Sequence, residues 1–282
     1  METERLILRD YEKILLLFII FMEISLLIGC ANKTDKTNTF GVFLNYEGEL
    51  KELEQYETVV IDAQYIEAQD IKAFQEQGHR VYSYINVGSL ENFRDYYATY
   101  KDITLGEYEH WEEECWIDVS SEKWQDFILN DLSKELLQKG IDGFFVDNCD
   151  VYYVYPDRDI LNGLSVILEG LKETGKDVII NGGDSFVNAY CDVGGNWKDI
   201  LTGINQESVF SCINWEDGTF GRAKEDDHKY FSEYIEKYGK QGAEIFLLEY
   251  TSDPALIQEI QGYCDKNHFN YYITDRLELD AD

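Results

Sequence analysis

Short apolar runs alternate along the chain with longer stretches in which apolar residues recur at helical spacing. In residues 143–148, Phe144, Phe145 and Val146 are typical of a strand that is buried on both faces. That run follows residues 121–139, whose apolar positions have the period of an α-helix. We expect eight such strands, at residues 41–46, 58–63, 80–87, 143–148, 177–182, 203–209, 244–250 and 270–274.

Helical patterns separate most of these runs, at residues 67–77, 121–139, 159–173, 225–240 and 255–266. Alternation of strands and helices favours a parallel sheet, and eight strands favour closure into a (β/α)8 TIM barrel of the α/β class. The long interval at residues 88–120 predicts an extended loop or helical region over the barrel mouth. An open doubly wound sheet is the main alternative. The sequence has no GxGxxG or GxxxxGK[ST] loop to support the nucleotide binding usual in that fold.

The N-terminus has a different pattern from the rest of the chain. Residues 14–28 form an apolar run that is short for a membrane span and suits the apolar part of a signal peptide. The run ends in Leu-Ile-Gly-Cys, which resembles a bacterial lipoprotein processing box and implies lipidation of Cys30. We therefore expect a signal peptide at residues 1–30, a polar tether at 31–39 and the barrel at 40–282. An uncleaved N-terminal anchor is the alternative, and both place the barrel outside the cytoplasm.

Acidic residues dominate the charge of the chain. It has 56 Asp and Glu against 24 Lys and Arg, for a net charge of −32. Such a surface repels nucleic acid and anionic lipid, so we expect neither as a partner, and membrane contact only through the N-terminus. The same surface attracts polycations, although solubility alone would also account for it. We expect a monomer.

Cysteine and histidine give no indication of a metal or cofactor. The six cysteines include no CxxC pair, and the four histidines are scattered. We therefore expect no metal and no organic cofactor. The sequence leaves open whether one disulfide forms among four of the cysteines: Cys115, Cys149, Cys191 and Cys212.

Polar side chains stand at the ends of most predicted strands, and in a barrel of this type those ends carry the active site. Carboxylates that lie close together at one barrel mouth raise each other's pKa. Glycoside hydrolases use two carboxyl groups on opposite sides of the bond that they cleave. Aromatic residues in the loops could pack against sugar rings, although packing a loop onto the barrel is the commoner role for each one. They are Tyr96, Tyr97, Trp111, Trp116, Tyr152, Tyr153, Tyr155, Trp197 and Trp215.

Five segments carry a resemblance to a known family: VVIDA (59–63), YSYINVGSLENFRDYY (82–97), CWIDVSSEKW (115–124), GIDGFFVDNCD (140–150) and GINQESVF (203–210). From about residue 40 to the C-terminus, the chain resembles the endo-α-1,4-polygalactosaminidases of glycoside hydrolase family 114. The resemblance implies a TIM-barrel catalytic domain. It also implies that Asp147 and Glu207 are the catalytic pair, and we assign Asp147 as the nucleophile and Glu207 as the general acid/base.

The resemblance also implies substrate contacts at Asp62, Tyr84 and Tyr250. From their places at the strand ends, we add the strand-four and strand-five residues Asn148, Asp150 and Asn181 as candidate substrate-binding residues. One position departs from the family pattern, because Ser89 stands where the family has an acid after the third-strand glycine.

The predicted function is an extracytoplasmic glycoside hydrolase that cleaves α-1,4 links in a galactosamine-rich, partly deacetylated and therefore cationic exopolysaccharide. The alternative is a non-catalytic surface lipoprotein that binds such a polysaccharide through the same acids and aromatic residues. A deacetylase would need a metal or an ester nucleophile, and the sequence indicates neither.

Overall fold

The computed structural model describes residues 40–281. An eight-stranded sheet runs through it in chain order, and every pairing between neighbouring strands is parallel. The strands are β1 (Phe40–Phe43), β2 (Thr58–Ile61), β3 (Arg80–Asn86), β4 (Gly143–Asp147), β5 (Asp177–Asn181), β6 (Gly203–Glu207), β7 (Glu244–Tyr250) and β8 (Asn270–Thr274). All eight predicted strands are confirmed.

The two edge strands approach each other, so the sheet is nearly closed into a barrel. Strand β1 contacts β8, and the rings of Phe43 and Tyr272 meet edge to face with centroids 5.3 Å apart. Just beyond these strands, the backbone N–H of Asn45 donates to the carbonyl of Leu279 at 3.4 Å. The predicted TIM-barrel architecture is therefore confirmed.

Helices lie between the strands, as the five helical patterns predicted. They are α1 (Ala68–Gln75), α2 (Glu122–Asp126), α3 (Ser133–Lys139), α4 (Arg158–Glu173), α5 (Asp184–Asp192), α6 (Glu225–Gly239) and α7 (Pro254–Asn267). A π-helical segment, Phe127–Leu132, joins α2 to α3. Single turns occur at Leu50–Leu53, Ala63–Tyr65, Tyr97–Tyr100, Lys101–Ile103, Val151–Val154 and Trp197–Asp199. Helix α5 was not predicted.

Side chains alternate across each strand, which gives the protein two apolar layers. The larger layer packs strands against helices. The smaller contains side chains from the strands and the C-terminal segment, with Phe40 and Phe246 in contact at 4.7 Å between centroids. Tyr84 and Tyr250 belong to this inner layer near the carboxyl ends of β3 and β7. Their rings are therefore buried while their hydroxyls reach the barrel mouth.

The long interval after β3 differs from the prediction. We expected a loop or helical region, and the structure instead has a three-stranded antiparallel sheet, with only short helical turns. We call it the inserted sheet; its strands are Ser89–Glu91, Thr104–Glu107 and Glu114–Ile117. An unpredicted hairpin, Ser211–Asn214 with Thr219–Arg222, follows β6. The inserted sheet and the hairpin both form by antiparallel pairing of separate short segments. The apolar pattern of one short segment does not indicate which other segment it pairs with.

The five cysteines within residues 40–281 are free, so the disulfide left open by the sequence does not form in this structure. The predicted signal peptide, tether and Cys30 lie outside the described residues. In the described part of the chain, no helix combines the length and the apolar character needed to cross a membrane.

Candidate active site

The carboxyl ends of the barrel strands surround a cavity of about 530 Å³. All eight candidate site residues of the barrel line it, although they come from six different strands, β2 to β7, and the loops that follow them: Asp62, Tyr84, Asp147, Asn148, Asp150, Asn181, Glu207 and Tyr250. The structure thus brings them to one place, and their roles in substrate binding and catalysis stay predictions.

Asp147 and Glu207 end strands β4 and β6, and a single amide bridges them. Asn181, at the end of β5 between those strands, donates from Nδ2 to Asp147 Oδ1 at 3.0 Å and to Glu207 Oε1 at 2.7 Å. Because two sides of a triangle limit the third, these two carboxylate oxygens lie no more than 5.7 Å apart. The geometry therefore holds the two carboxylates close together, on the same amide group of Asn181.

Neighbouring side chains orient this pair. Buried Asn205 donates from Nδ2 to Asn181 Oδ1 at 2.7 Å, which turns the Asn181 NH₂ group toward both acids. The Tyr250 hydroxyl donates to Glu207 Oε2 at 2.8 Å. Each oxygen of Glu207 therefore has a fixed hydrogen-bond donor, and the carboxylate has little rotational freedom.

Burial and mutual repulsion perturb the titration of this pair. The pKa of Asp147 is raised to about 6, first by burial and then by the negative charge of Glu207. Burial also raises the pKa of Glu207, against the hydrogen bonds from Asn181 and Tyr250, which favour its ionised form. Perturbed carboxylates in a cleft are typical of acid/base chemistry.

Asp150 is held beside this pair by a tight turn after β5. The backbone N–H of Gly183 donates to Asp150 at 3.3 Å, and a side chain at Gly182 would meet Asp150 Oδ2 at 2.8 Å. Both glycines have positive φ, at 64° and 67°, so this turn favours glycine at both positions. Burial raises the pKa of Asp150 to about 7, and the charges of Asp184 and Asp147 add to the rise.

Asp62 has a different environment, because it shares a buried arginine with Glu91. Arg94 donates to Asp62 Oδ2 at 2.6 Å and to Glu91 Oε2 at 2.6 Å, and all three side chains are at most 8% exposed. Burial acts to lower the pKa of Arg94, but Glu91 and Asp62 raise it above its ordinary value. Asp62 therefore lines the cavity with its charge already compensated.

The side chain of Asn148 is also hydrogen-bonded to other residues of this chain. Its Nδ2 donates to Ser89 Oγ at 3.0 Å and to Glu114 Oε2 at 3.3 Å, and its Oδ1 accepts from the Tyr108 hydroxyl at 3.0 Å. It therefore fastens the inserted sheet to the barrel. Its backbone has a φ of 64°, and its carbonyl would lie 1.7 Å from a side chain at Gly88, so the β3 loop needs glycine there.

Sequence reasoning missed Glu114 and Tyr108, which reach the cavity from the inserted sheet and from the loop beside it. Glu114 follows Glu112 and Glu113 in the chain, and nothing in that spacing marks one of the three as buried. The period-two alternation of an antiparallel strand would have been the available signal, had the strand been predicted.

Only Trp111 and Trp215 of the nine predicted aromatic residues line the cavity. Their rings meet edge to face at 6.1 Å, and His110 stacks on Trp215 at 4.7 Å. Trp111 and His110 follow the strand Thr104–Glu107, and Trp215 lies at the tip of the hairpin after β6, so the two segments meet at the mouth. Trp116 and Trp197 are instead buried in the core.

The site has no arrangement typical of a bound metal. Among residues 40–281, no group of three or more histidine, cysteine, aspartate or glutamate side chains is arranged to hold a metal ion. What the arrangement offers chemically is a bridged pair of carboxylates with further acids and aromatic faces around it.

Three solved structures are similar to this chain in fold. The glycoside hydrolase domain of PelA from Pseudomonas aeruginosa is 18% identical, with a TM-score of 0.69 over 86% of this chain and 99% of that one. Ega3 from Aspergillus fumigatus, solved in complex with galactosamine, is 15% identical, with a TM-score of 0.66 over 86% of this chain and 92% of that one. An α-galactosidase from Thermus thermophilus is 10% identical, with a TM-score of 0.51 over 85% and 58%.

At these identities, the structural matches establish the fold alone. No curated protein matches the sequence. The model of glycoside-hydrolase family GH114 matches residues 30–178, which is more than half of the 282-residue chain and includes Asp62, Tyr84 and Asp147. The chain therefore belongs to glycoside-hydrolase family GH114 and is a glycosidase.

Proposed function

We propose that this glycosidase cleaves α-1,4 linkages in a galactosamine-rich, partly deacetylated polysaccharide, with retention of configuration at the anomeric carbon. The observation that carries the proposal is the Asn181 bridge, which limits the separation of the nearest Asp147 and Glu207 oxygens to 5.7 Å. Retaining glycosidases separate their carboxyl groups by about 5–5.5 Å, whereas inverting ones need about 6.5–9.5 Å for a water molecule.

In the proposed mechanism, Asp147 attacks the anomeric carbon while Glu207 protonates the leaving glycosidic oxygen. A covalent glycosyl–enzyme ester then forms on Asp147. Glu207, now ionised, takes a proton from water, and that water cleaves the ester and regenerates both carboxyl groups. The hydrogen bonds from Asn181 and Tyr250 hold the Glu207 carboxyl group in one orientation during both steps.

The charge of the cavity supports a cationic substrate. Ten acidic residues line it, against one arginine and one histidine. Arg94 is already bound to Asp62 and Glu91, so most of the negative charge is available to a ligand. An ammonium-bearing sugar polymer would be attracted to such a cleft, most strongly at low ionic strength. The galactosamine bound to Ega3, a protein of the same fold, agrees with this choice of sugar.

We further propose that the domain acts outside the cytoplasm, as a monomer tethered through lipidated Cys30. The support is the Leu-Ile-Gly-Cys sequence after an apolar run, followed by a polar segment. Labelling of the full chain with a fatty-acid analogue in a bacterial host, compared with Cys30→Ser, tests the anchor. Label in both proteins or in neither would contradict it.

The first experiment measures reducing-end release from partly deacetylated α-1,4-linked galactosaminogalactan by the full-length chain. We expect release by the wild type, none by Glu207→Gln, and wild-type release by Glu173→Gln, which removes an exposed charge at the end of α4. The anomeric configuration of the first product, followed by NMR, should be α. A β product would contradict retention. Binding without any release would favour the non-catalytic polysaccharide-binding lipoprotein.

A further inference from the structure

Glu114 is an acid from outside the barrel that reaches the active-site cavity. It lies on the central strand of the inserted sheet, in register with Glu91 on the neighbouring strand. Its Oε2 accepts hydrogen bonds from Ser89 Oγ at 2.5 Å, Asn148 Nδ2 at 3.3 Å and Asn86 Nδ2 at 3.5 Å. Within residues 40–281, these three donors all reach Oε2, so Oε1 has no hydrogen-bond partner there.

The partners of Glu114 are all neutral, unlike those of the acid beside it. Glu91 binds Arg94 through two hydrogen bonds, whereas no basic side chain of the described residues forms an ion pair with Glu114. Burial raises the pKa of Glu114 to about 7, and repulsion from Glu91 and Asp147 adds to that rise. A cation entering the cavity would relieve both effects, because it would compensate a partly buried charge.

Glu114 is also close to the proposed nucleophile. Asn148, which donates to Glu114, directly follows Asp147 in the chain, and the charge of Asp147 influences Glu114. Both acids line the same cavity, so a sugar bound against Asp147 would lie on the side of the cavity that Glu114 enters. The inserted sheet places the Glu114 carboxylate against Ser89, the position at which the resemblance to the family implies an acid.

We propose that Glu114 binds the ammonium group of a deacetylated hexosamine in the cleft, and so selects free amine over N-acetyl at that sugar position. The inference rests on the proposed function, because it assumes an amino-sugar ligand at this site. The proposal also explains the serine at position 89, where the resemblance implies an acid. The Ser89 hydroxyl donates to Glu114, and Glu114 supplies the carboxylate in place of that acid.

A purely structural role is the competing explanation, since Glu114 also ties the inserted sheet to Asn86 and Asn148. The two explanations differ in ligand selectivity. Loss of a structural tie would weaken binding of acetylated and deacetylated sugars alike. Loss of an ammonium partner would weaken binding of the deacetylated sugar alone.

The test measures binding by calorimetry, in full-length protein carrying Glu207→Gln so that no ligand is cleaved. The probes are matched α-1,4-linked oligosaccharides of galactosamine and of N-acetylgalactosamine. Added variants are Glu114→Gln, Glu114→Asp and the control Glu107→Gln. Glu107 is an exposed acid on the adjoining strand of the same sheet, and it does not line the cavity.

We expect Glu114→Gln to weaken binding of the galactosamine oligosaccharide about tenfold or more, as for loss of a charge-assisted hydrogen bond. Binding of the acetylated oligosaccharide should change little, Glu114→Asp should keep part of the preference, and Glu107→Gln should keep all of it. Equal weakening of both ligands by Glu114→Gln, or no weakening, would overturn the inference. If Glu114→Gln does not fold, Glu114→Asp and Ser89→Ala are measured instead. The deciding quantity is again the ratio of the affinities for the galactosamine and the N-acetylgalactosamine oligosaccharides.

Reducing-end release by the protein with intact Glu207 separates this inference from the proposed function. Absence of release together with Glu114-dependent amine selectivity would reject the hydrolase mechanism and keep Glu114 as an ammonium ligand. Release together with unchanged selectivity in Glu114→Gln would keep the hydrolase and reject the role of Glu114.

Discussion

Two groups of acids share one barrel mouth and differ in how their charge is balanced. The compensated acids, Asp62 and Glu91, both bind buried Arg94 at 2.6 Å. The uncompensated acids form no ion pair within residues 40–281 and are hydrogen-bonded by amides, hydroxyls or a backbone N–H: Asp147, Asp150, Glu207 and Glu114.

The difference shows that position at a strand end does not decide how the charge of an acid is compensated. An acid with its own arginine is a structural connection, here between β2 and the inserted sheet. Burial raises the pKa of Glu91 as well as those of Asp147 and Asp150. What distinguishes Asp147 and Asp150 is that their partners are neutral donors, so we expect their charge to be available to a substrate. The comparison predicts opposite consequences when the two groups are altered.

The largest effect on activity is expected at the proposed catalytic pair. Asp147→Asn and Glu207→Gln should each lower the rate of reducing-end release by at least about 10²-fold, since each removes a group that transfers a proton or attacks carbon. The melting temperature should not fall, because each change removes a repulsive buried charge. Full activity in either variant would place the chemistry elsewhere.

The largest effect on stability is expected at Arg94. Arg94→Met leaves Asp62 and Glu91 buried without a counter-charge, so the free energy of unfolding should fall by about 3–5 kcal/mol in urea titrations. Arg222→Met is the matched control, because Arg222 forms an exposed pair with Glu259 and its loss should change stability by less than about 1 kcal/mol. Similar losses in the two variants would remove the distinction between buried and exposed pairs.

Removing an uncompensated acid should instead stabilise the protein. The folded-state pKa of Asp150 is about 7, above the ordinary value of 3.8, so its stabilising contribution is lost as pH rises through about 7. Asp150→Asn should therefore raise the free energy of unfolding at pH 8 by on the order of 2 kcal/mol. The gain should shrink as pH falls from about 7 toward pH 4, because near the ordinary pKa of 3.8 Asp150 becomes protonated in the unfolded as well as in the folded wild type.

Asp62→Asn provides the opposite case at the same mouth, because it leaves Arg94 with one carboxylate fewer. It should lower the free energy of unfolding at pH 8. Urea titrations of both variants at pH 4 and pH 8 measure the contrast. Changes of the same sign at pH 8 would show that Arg94 does not separate the two groups of acids.

The smallest effect expected is a shift in the pH dependence of kcat/KM. If Asp147 must be ionised to attack, kcat/KM should fall as pH drops below about 6, its raised pKa. The hydrogen bond from Asn181 lowers that pKa, so Asn181→Ala should move the acidic limb to higher pH. An acidic limb at the same pH in Asn181→Ala and in the wild type would mean that Asn181 does not lower the pKa of Asp147.

The sequence was sufficient for the barrel and for most members of the site. The eight strands follow from apolar runs of a few residues, which are local signals, and helix α5 was missed because it is short and begins in the glycine turn after β5. Since parallel strands of a barrel end at the same mouth, acids such as Asp147 and Glu207 were predicted to meet there. The resemblance to a known family indicated that these two acids form the catalytic pair.

Only the tertiary structure decided how these acids are balanced. Arg94 reaches Asp62 across 32 positions and Asn181 reaches Asp147 across 34, and neither partnership follows from local spacing. Glu114 joins the cavity through antiparallel pairing of the inserted sheet, which the chain pattern did not reveal. The sequence by itself determined which strands form and which acids end them, because both depend on nearby residues. The burial, counter-charge and pKa of each acid depend on long-range contacts, which exist only in the folded barrel.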